Sequence, residues 1–276
     1  MSHEKRTLEF YVLAGFFTLF VLFLYGPLSA VFILSFQGPD VGLTFPLNGV
    51  SVHWFFNLFE QQAVGDFGAS FKRSFTLGLM VMIVNVVVSL LAGLAFRRKF
   101  RGSTVLFYLT VASLVVPSII ISLGIGVVFQ QFGLKPAWYS SAFGAHLTWT
   151  LPFGVLIMFA VFNRFSPAYE EAARDLGASS WQTFAHVVLP MIAPSLIGVG
   201  LFGFTLSYDE FARTLQTSGS LNTLPLEIWS MTLNVTSPSL YALGTVTTIV
   251  SFIIIGACIG AIVVINKRRG VRATGH

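Results

Sequence analysis

The chain has 276 residues, of which 55% are hydrophobic and only 10% charged. Soluble domains carry roughly 25% charged residues, so little of this surface faces water. The mean hydropathy is +0.80, and 29 phenylalanines exceed what one ordinary soluble core holds. The net charge of +5 sits in short basic clusters between apolar runs. That is how loop charges orient a membrane protein, and it argues against a nucleic-acid-binding stripe.

A helix needs roughly 20 apolar residues to cross about 30 Å of hydrocarbon. The sequence predicts an all-α, polytopic membrane protein of one transmembrane domain over residues 1–276, with six such stretches. The first runs from about Phe10 to Phe36; it is too long for a signal-peptide core and lacks a small-residue cleavage site, so it reads as a retained span. The second covers about Phe75 to Phe96, the third Val105 to Phe129 and the fourth Ser141 to Phe162. The fifth covers about Met191 to Tyr208 and the sixth Tyr241 to Ile265.

Between the first two lies a long loop with Gly38-Pro39-Asp40 and then Val52-His53-Trp54-Phe55-Phe56, which reads as an interfacial belt. His53 is taken as an interfacial polar residue, because no second metal ligand is spaced for it. With the N-terminus inside, Lys5, Arg6, Arg97, Arg98, Lys99, Arg101, Arg164, Arg174, Lys267, Arg268, Arg269 and Arg272 are cytoplasmic. Only Lys72, Arg73, Lys135 and Arg213 then lie outside, twelve against four, so both termini are expected in the cytoplasm. The lone cysteine, Cys258, has no internal disulfide partner and says nothing about compartment.

The loop 164–190 between the fourth and fifth stretches is longer than a connector needs and reads as two short helices. Ser166 is placed to cap the first, with Pro167 in its first turn. Glu170 and Glu171 sit near its N-terminus, where the helix dipole favours them. Gly177 supplies a left-handed stop. Ser179 and Gln182 form a capping-box pattern for the second helix, which Leu189-Pro190 closes. On composition alone, such a rigid, small-residue helix suits either a groove on another protein or the bilayer surface.

Glu171-Ala172-Ala173, Gly177, Val187 and Leu189-Pro190, at this spacing and after a fourth span, resemble the EAA loop of ATP-binding-cassette (ABC) importer permeases. The family prefers Ile where this chain has Val187. Phe204-Thr205-Leu206-Ser207-Tyr208-Asp209-Glu210-Phe211, Leu224-Pro225-Leu226-Glu227-Ile228-Trp229-Ser230 and Ser237-Pro238 resemble the spermidine/putrescine branch. Departures are Asp209-Glu210, where relatives often have two aspartates, and Arg73-Ser74, where they usually have Asn-Ser. The resemblance implies a type I ABC importer (MetI-like) permease fold in a bacterial inner membrane. Glu170, Glu171, Ala172, Ala173, Gly177, Leu189 and Pro190 would then form the coupling segment. The implied partners are two copies of a cytoplasmic ABC ATPase, a second and different permease subunit, and an extracytoplasmic substrate-binding protein. No catalytic residue, cofactor or metal is expected in this chain. It has no Gly-Lys-Ser/Thr phosphate loop, no second histidine after His3-Glu4 at zinc-protease spacing, and no Gly-x-Ser-x-Gly elbow.

Ionisable groups near a span are functional candidates by default. Tyr208, Asp209 and Glu210 close the fifth stretch, and two carboxylates beside an aromatic ring suit an organic cation. They equally suit the solvated start of a loop, and Arg213 is close enough in sequence to neutralise them. The other transport reading is an ion-coupled secondary carrier with Asp209 or Glu210 taking the proton. A non-transporting scaffold would leave the two-helix loop without a purpose. Asn85 and Ser89, one turn apart, share a face for the pathway or for interhelical hydrogen bonds. Pro152 is expected to kink or loosen the fourth span.

Overall fold

The computed structural model describes residues 7–39, 46–58, 66–98, 100–234 and 238–273. His3, Glu4, Lys5, Arg6, Asp40, Lys99 and Ser237 lie outside the described residues, and the side chains of Ile262 and of residues 265–273 are not described. All regular elements among the described residues are helical, apart from one isolated antiparallel bridge between Gln37 and Val50. In order they are α1 Leu8–Leu34, α2 His53–Asn57, α3 Phe67–Phe96, α4 Ser103–Ala112 and α5 Ser118–Gln131. There follow α6 Phe143–Asn163, α7 Ala168–Asp175, α8 Ser180–Thr183, α9 Leu189–Tyr208, α10 Leu224–Asn234 and α11 Pro238–Ala273. Two π-turns, Trp138–Ala142 and Phe184–Val188, lead into α6 and α9.

Five helical runs are long and apolar enough to cross a bilayer: Leu8–Leu34, Phe67–Phe96, Trp138–Asn163, Ser180–Tyr208 and Pro238–Ala261. The stretch expected as one span over Val105 to Phe129 is instead two helices, α4 and α5, of 10 and 14 residues. Pro117 explains the break: it has no N–H to donate to the preceding turn, and its ring clashes with the carbonyl four residues back. A sixth continuous span is therefore not found among the described residues. Helix α3 begins at Phe67, before the expected Phe75, because the Asp66 carboxylate accepts the Ala69 N–H at 2.9 Å and caps it. Thirty helical residues are about 45 Å long, more than a bilayer core requires.

The chain divides into two compact units, each described by itself. In the first, Met1–Gly65 with Ser230–Val250, every residue of α1 stays at least partly exposed. Beyond it the Trp54 indole donates to the Gln37 carbonyl at 2.9 Å, and Phe36 meets Phe55 at 5.2 Å, which folds the belt segment back on the helix end. In the second, Asp66–Trp229 with Ser251–His276, α3, α6 and α9 pack together as a three-helix core. Met158, Phe162, Val188, Ile192, Leu196 and Val199 fill one end of it, and Leu77, Val81 and Ala142 the other.

Lipid tails are as apolar as leucine, so helices in a bilayer associate through close packing and hydrogen bonds rather than hydrophobic drive. Both are present at Asn85. Its amide donates to the Val199 carbonyl of α9 at 3.2 Å, and its Oδ1 accepts the Ser89 hydroxyl at 3.3 Å. Gly154 of α6 and Gly203 of α9 make the room: a Cβ on Gly203 would stand 2.6 Å from the Asn85 amide nitrogen, and one on Gly154 would overlap the Ser89 hydroxyl. The shared face of Asn85 and Ser89 is thus an interhelical hydrogen-bond site. Helix α6 runs unbroken through Pro152.

Candidate functional site

The segment between α6 and α9 is built from local chemistry. Pro167, not Ser166, occupies the N-cap of α7, and no side chain caps it. Its carbonyl accepts the N–H groups of Glu170 at 2.9 Å and Glu171 at 3.1 Å, which closes the first turn without the serine. At the other end Gly177 adopts φ +82°. Its N–H donates to Arg174 O at 2.8 Å and that of Ala178 to Ala173 O at 3.0 Å, the paired bonds of a Schellman stop. Two residues on, the Ser179 hydroxyl accepts the Gln182 N–H at 3.3 Å while the Gln182 side chain accepts the Ser179 N–H at 2.8 Å. This is the reciprocal capping box that the sequence predicts.

The helix so begun does not end at Leu189-Pro190. Ser180–Tyr208 is one helical run, with the π-turn Phe184–Val188 just before Pro190. The wider turn accommodates a ring that would otherwise clash in the ladder. Phe184 and Leu189 pack on the buried cluster around Phe162 and Val188, so this second helix is rooted in the core. By contrast α7 presents much of its surface: Tyr169, Glu171, Ala172, Arg174 and Asp175 are exposed, as are Leu176 and Trp181 beyond it.

Glu170 differs from its neighbour. Only 15% of its side chain is accessible, and its Oε1 accepts Arg97 Nη1 at 2.6 Å, while Oε2 lies 3.9 Å from Arg174. The Arg97 guanidinium is also 5.3 Å from the ring centroid of Phe162 and 5.4 Å from that of Phe165. Sequence reasoning used Arg97 only as a topological charge; its partner lies 73 residues on, and no local pattern joins them.

At the opposite end of α9, Tyr208, Asp209 and Glu210 do not present one shared surface. The Tyr208 ring is buried, stacked on Phe204 at 5.7 Å and edge-on to Phe71, and its hydroxyl has no hydrogen-bond partner among the described residues. Asp209 is exposed at the helix end, yet partial desolvation holds its carboxyl above the ordinary carboxylate range. Glu210 turns back along the chain to accept the Arg213 N–H at 2.9 Å.

The segment that follows, residues 211–223, is mostly non-helical but deeply packed. Arg213, Thr214, Thr217, Ser218 and Thr223 are all buried. Its backbone is satisfied by side chains from the surrounding helices. Ser122 of α5 donates to Arg213 O at 2.9 Å and accepts the Gln216 N–H at 3.1 Å; Ser141 donates to Thr217 O at 2.6 Å. Arg73 of α3 donates to Asn222 O at 2.6 Å, and Ser74 accepts the Leu224 N–H at 2.8 Å. Glu227 accepts the Asp66 N–H and the Asn222 amide, both at 2.8 Å.

His146, for which the sequence suggests no partner, lies 2.8 Å from both Ser207 Oγ and Thr214 Oγ1. Thr214 spends its one hydroxyl proton on Glu210 O, so it accepts from His146 Nε2–H, and Nδ1 accepts from Ser207. The Arg213 guanidinium has no hydrogen-bond partner among the described residues and lies 4.7 Å over the Trp149 ring. Burial pushes its ionisation down from the ordinary value while Glu210 pushes it up.

Residues 85–270 match the family model of the binding-protein-dependent transport system inner membrane component. The chain belongs to that family. It is a multi-pass membrane permease of the ABC importer class. A spermidine/putrescine transport system permease protein, PotC, of Escherichia coli (strain K12) is 27% identical over 243 residues, covering 87% of this chain and 90% of the relative. Its counterpart from Haemophilus influenzae is 26% identical over 249 residues, with 90% and 95% covered. Among solved structures, a bacterial ABC transporter involved in the import of the acidic polysaccharide alginate aligns at TM-score 0.67 and 18% identity, covering 95% of this chain and 98% of that one. The inward-facing MetNI methionine ABC transporter aligns at TM-score 0.60 and 14% identity, with 72% and 95% covered. The expected MetI-like fold is thereby found.

Proposed function

We propose that this permease, in a bacterial inner membrane, carries a polyamine or a similar small solute inward by alternating access, driven by a separate cytoplasmic ATPase that docks on α7. The observation that carries the reading is the Schellman stop and capping box that isolate α7 as a rigid, exposed helix between two spans. Glu171, Ala172 and Ala173 face the ATPase groove, and Gly177 fixes the angle at which the helix is offered. Residues 164–179 lie in the cytoplasm, both termini are cytoplasmic, and α4 with α5 crosses as the broken sixth span. The assembly comprises two ATPase copies, a second permease subunit and a binding protein that delivers cargo outside; ATP hydrolysis belongs to the ATPase and not to this chain. The cargo class rests on the spermidine/putrescine relatives, which align over about nine-tenths of the chain. Tyr208, Asp209 and Glu210 are assigned to the outer mouth of the cargo path.

The test is co-purification and uptake with the complete transporter. An ATPase comes down with the wild type, and is lost with Glu171→Lys and with Gly177→Trp. Asp209→Asn with Glu210→Gln lowers spermidine uptake and leaves assembly intact. Uptake that persists without an ATPase and collapses with the proton gradient would replace this reading with a secondary carrier.

A further inference from the structure

A helix that transmits force needs two attachments, one to the engine and one to the load. The exposed face of α7 supplies the first. Through the chain α7 is joined only to α6, by residues 164–167, and to the α8–α9 run, by residues 176–179. Its backbone packs chiefly on α8 and the adjoining π-turn. Neither route includes α3, the helix that packs on both α6 and α9 in the core.

We propose that Arg97 and Glu170 form the link through which α7 moves α3, making both positioning residues for the transport step. This rests on the coupling reading of α7. Four observations carry it. Arg97 is the C-cap residue of α3, so its side chain leaves the helix at its end, where displacement of α7 pulls most directly along the helix. Its guanidinium lies 5.3 Å from the Phe162 ring centroid and 5.4 Å from that of Phe165, and these contacts narrow the freedom that makes most exposed ion pairs weak. The 2.6 Å separation is that of a charge-assisted hydrogen bond. And the adjacent carboxylates are divided: Glu170 is largely covered while Glu171 is exposed, so one points to the spans and the other is free for a partner. Phe165 also meets Tyr169 of α7 at 6.0 Å, so the same aromatic group braces both the arginine and the helix it holds.

The link is tested in the reconstituted complex with Glu170→Gln, which keeps size and removes charge, with Arg97→Gln, and with Arg97→Lys. Three quantities are read: ATPase recovered with the permease, spermidine moved per ATP hydrolysed, and stimulation of hydrolysis by the loaded binding protein. Stimulation of hydrolysis by the loaded binding protein serves as a readout that holds for any cargo. Glu170→Gln and Arg97→Gln are expected to keep ATPase recovery while uptake per ATP and stimulation fall about tenfold, within the usual range of couplings between sites. Arg97→Lys, which keeps the charge, recovers at least half of the stimulation. Wild-type coupling in Glu170→Gln and Arg97→Gln overturns the link. So does loss of ATPase from Glu170→Gln to the same degree as from Glu171→Lys, because Glu170 would then be a docking residue. Retention of ATPase by Glu171→Lys, in contrast, counts against the docking reading itself.

Discussion

Arg213 gains in the fold a partner, the Trp149 ring, that its sequence neighbourhood does not suggest. A buried guanidinium without hydrogen bonds is costly, and the face of Trp149 is the compensation seen here. A desolvated cation–π pair contributes about 2 kcal/mol. Trp149→Leu is therefore expected to lower thermal stability in detergent clearly more than Trp149→Phe, which keeps a π face; equal losses would remove the ring from the account. Asp209 makes a second prediction, in pH. Desolvation raises its carboxyl above the ordinary range, so the native chain holds this proton to higher pH than the unfolded chain does. The charge then costs stability as pH rises from the ordinary carboxylate value through the raised one. Asp209→Asn, which never ionises, should gain on the wild type across that window in melting scans from acid to neutral pH. A constant difference across the window would contradict the shift.

At the scale of elements, Gly177 gives the cleanest test, because a Cβ there meets nothing within 4 Å and only its φ of +82° resists substitution. Left-handed backbone costs an ordinary residue roughly 1–2 kcal/mol, and asparagine less. ATPase recovery with the permease should fall in the order Gly, Asn, Ala, Val, and higher recovery with Ala than with Asn would mean that bulk rather than angle matters. This stop was legible in the sequence, as was the Ser179–Gln182 box, because each is made within six residues. The start of α7 was misread: a serine before Pro167 looks like a cap, but backbone bonds from the Pro167 carbonyl suffice. Leu189-Pro190 looked like an end because proline usually breaks a helix, and the π-turn that absorbs it has no signature in composition. At Pro117 the signal was present and the apolar run around it hid the break. The Arg97–Glu170 link and the Arg213–Trp149 stack join distant parts of the chain and were not legible at all.

At the scale of the whole molecule, the segment 211–223 sets the physical problem. Buried irregular backbone is tolerated only where protein or water satisfies its polar groups. Here Ser122, Ser141, Ser74, Arg73 and the His146–Thr214 pair together bring α3, α5, the π-turn before α6, and α6 itself onto one loop. Each bond alone is worth about 1 kcal/mol. Leaving a buried partner unsatisfied costs about 1–3 kcal/mol, so the set holds the loop more firmly than its lack of helix suggests. Amide hydrogen exchange in lipid nanodiscs should therefore show residues 211–223 protected to nearly the level of α9. Ser122→Ala, which removes both the donor to Arg213 O and the acceptor for the Gln216 N–H, should raise exchange across the whole segment rather than at Gln216 alone, since the bonds share one stretch of backbone. Ser89→Ala, buried in the core but remote from this loop in its bonding, serves as the control and should leave it unchanged. Exchange in the wild type as fast as at a helix end would show that the loop opens freely, and that the helices meeting on it are held together by their own packing alone.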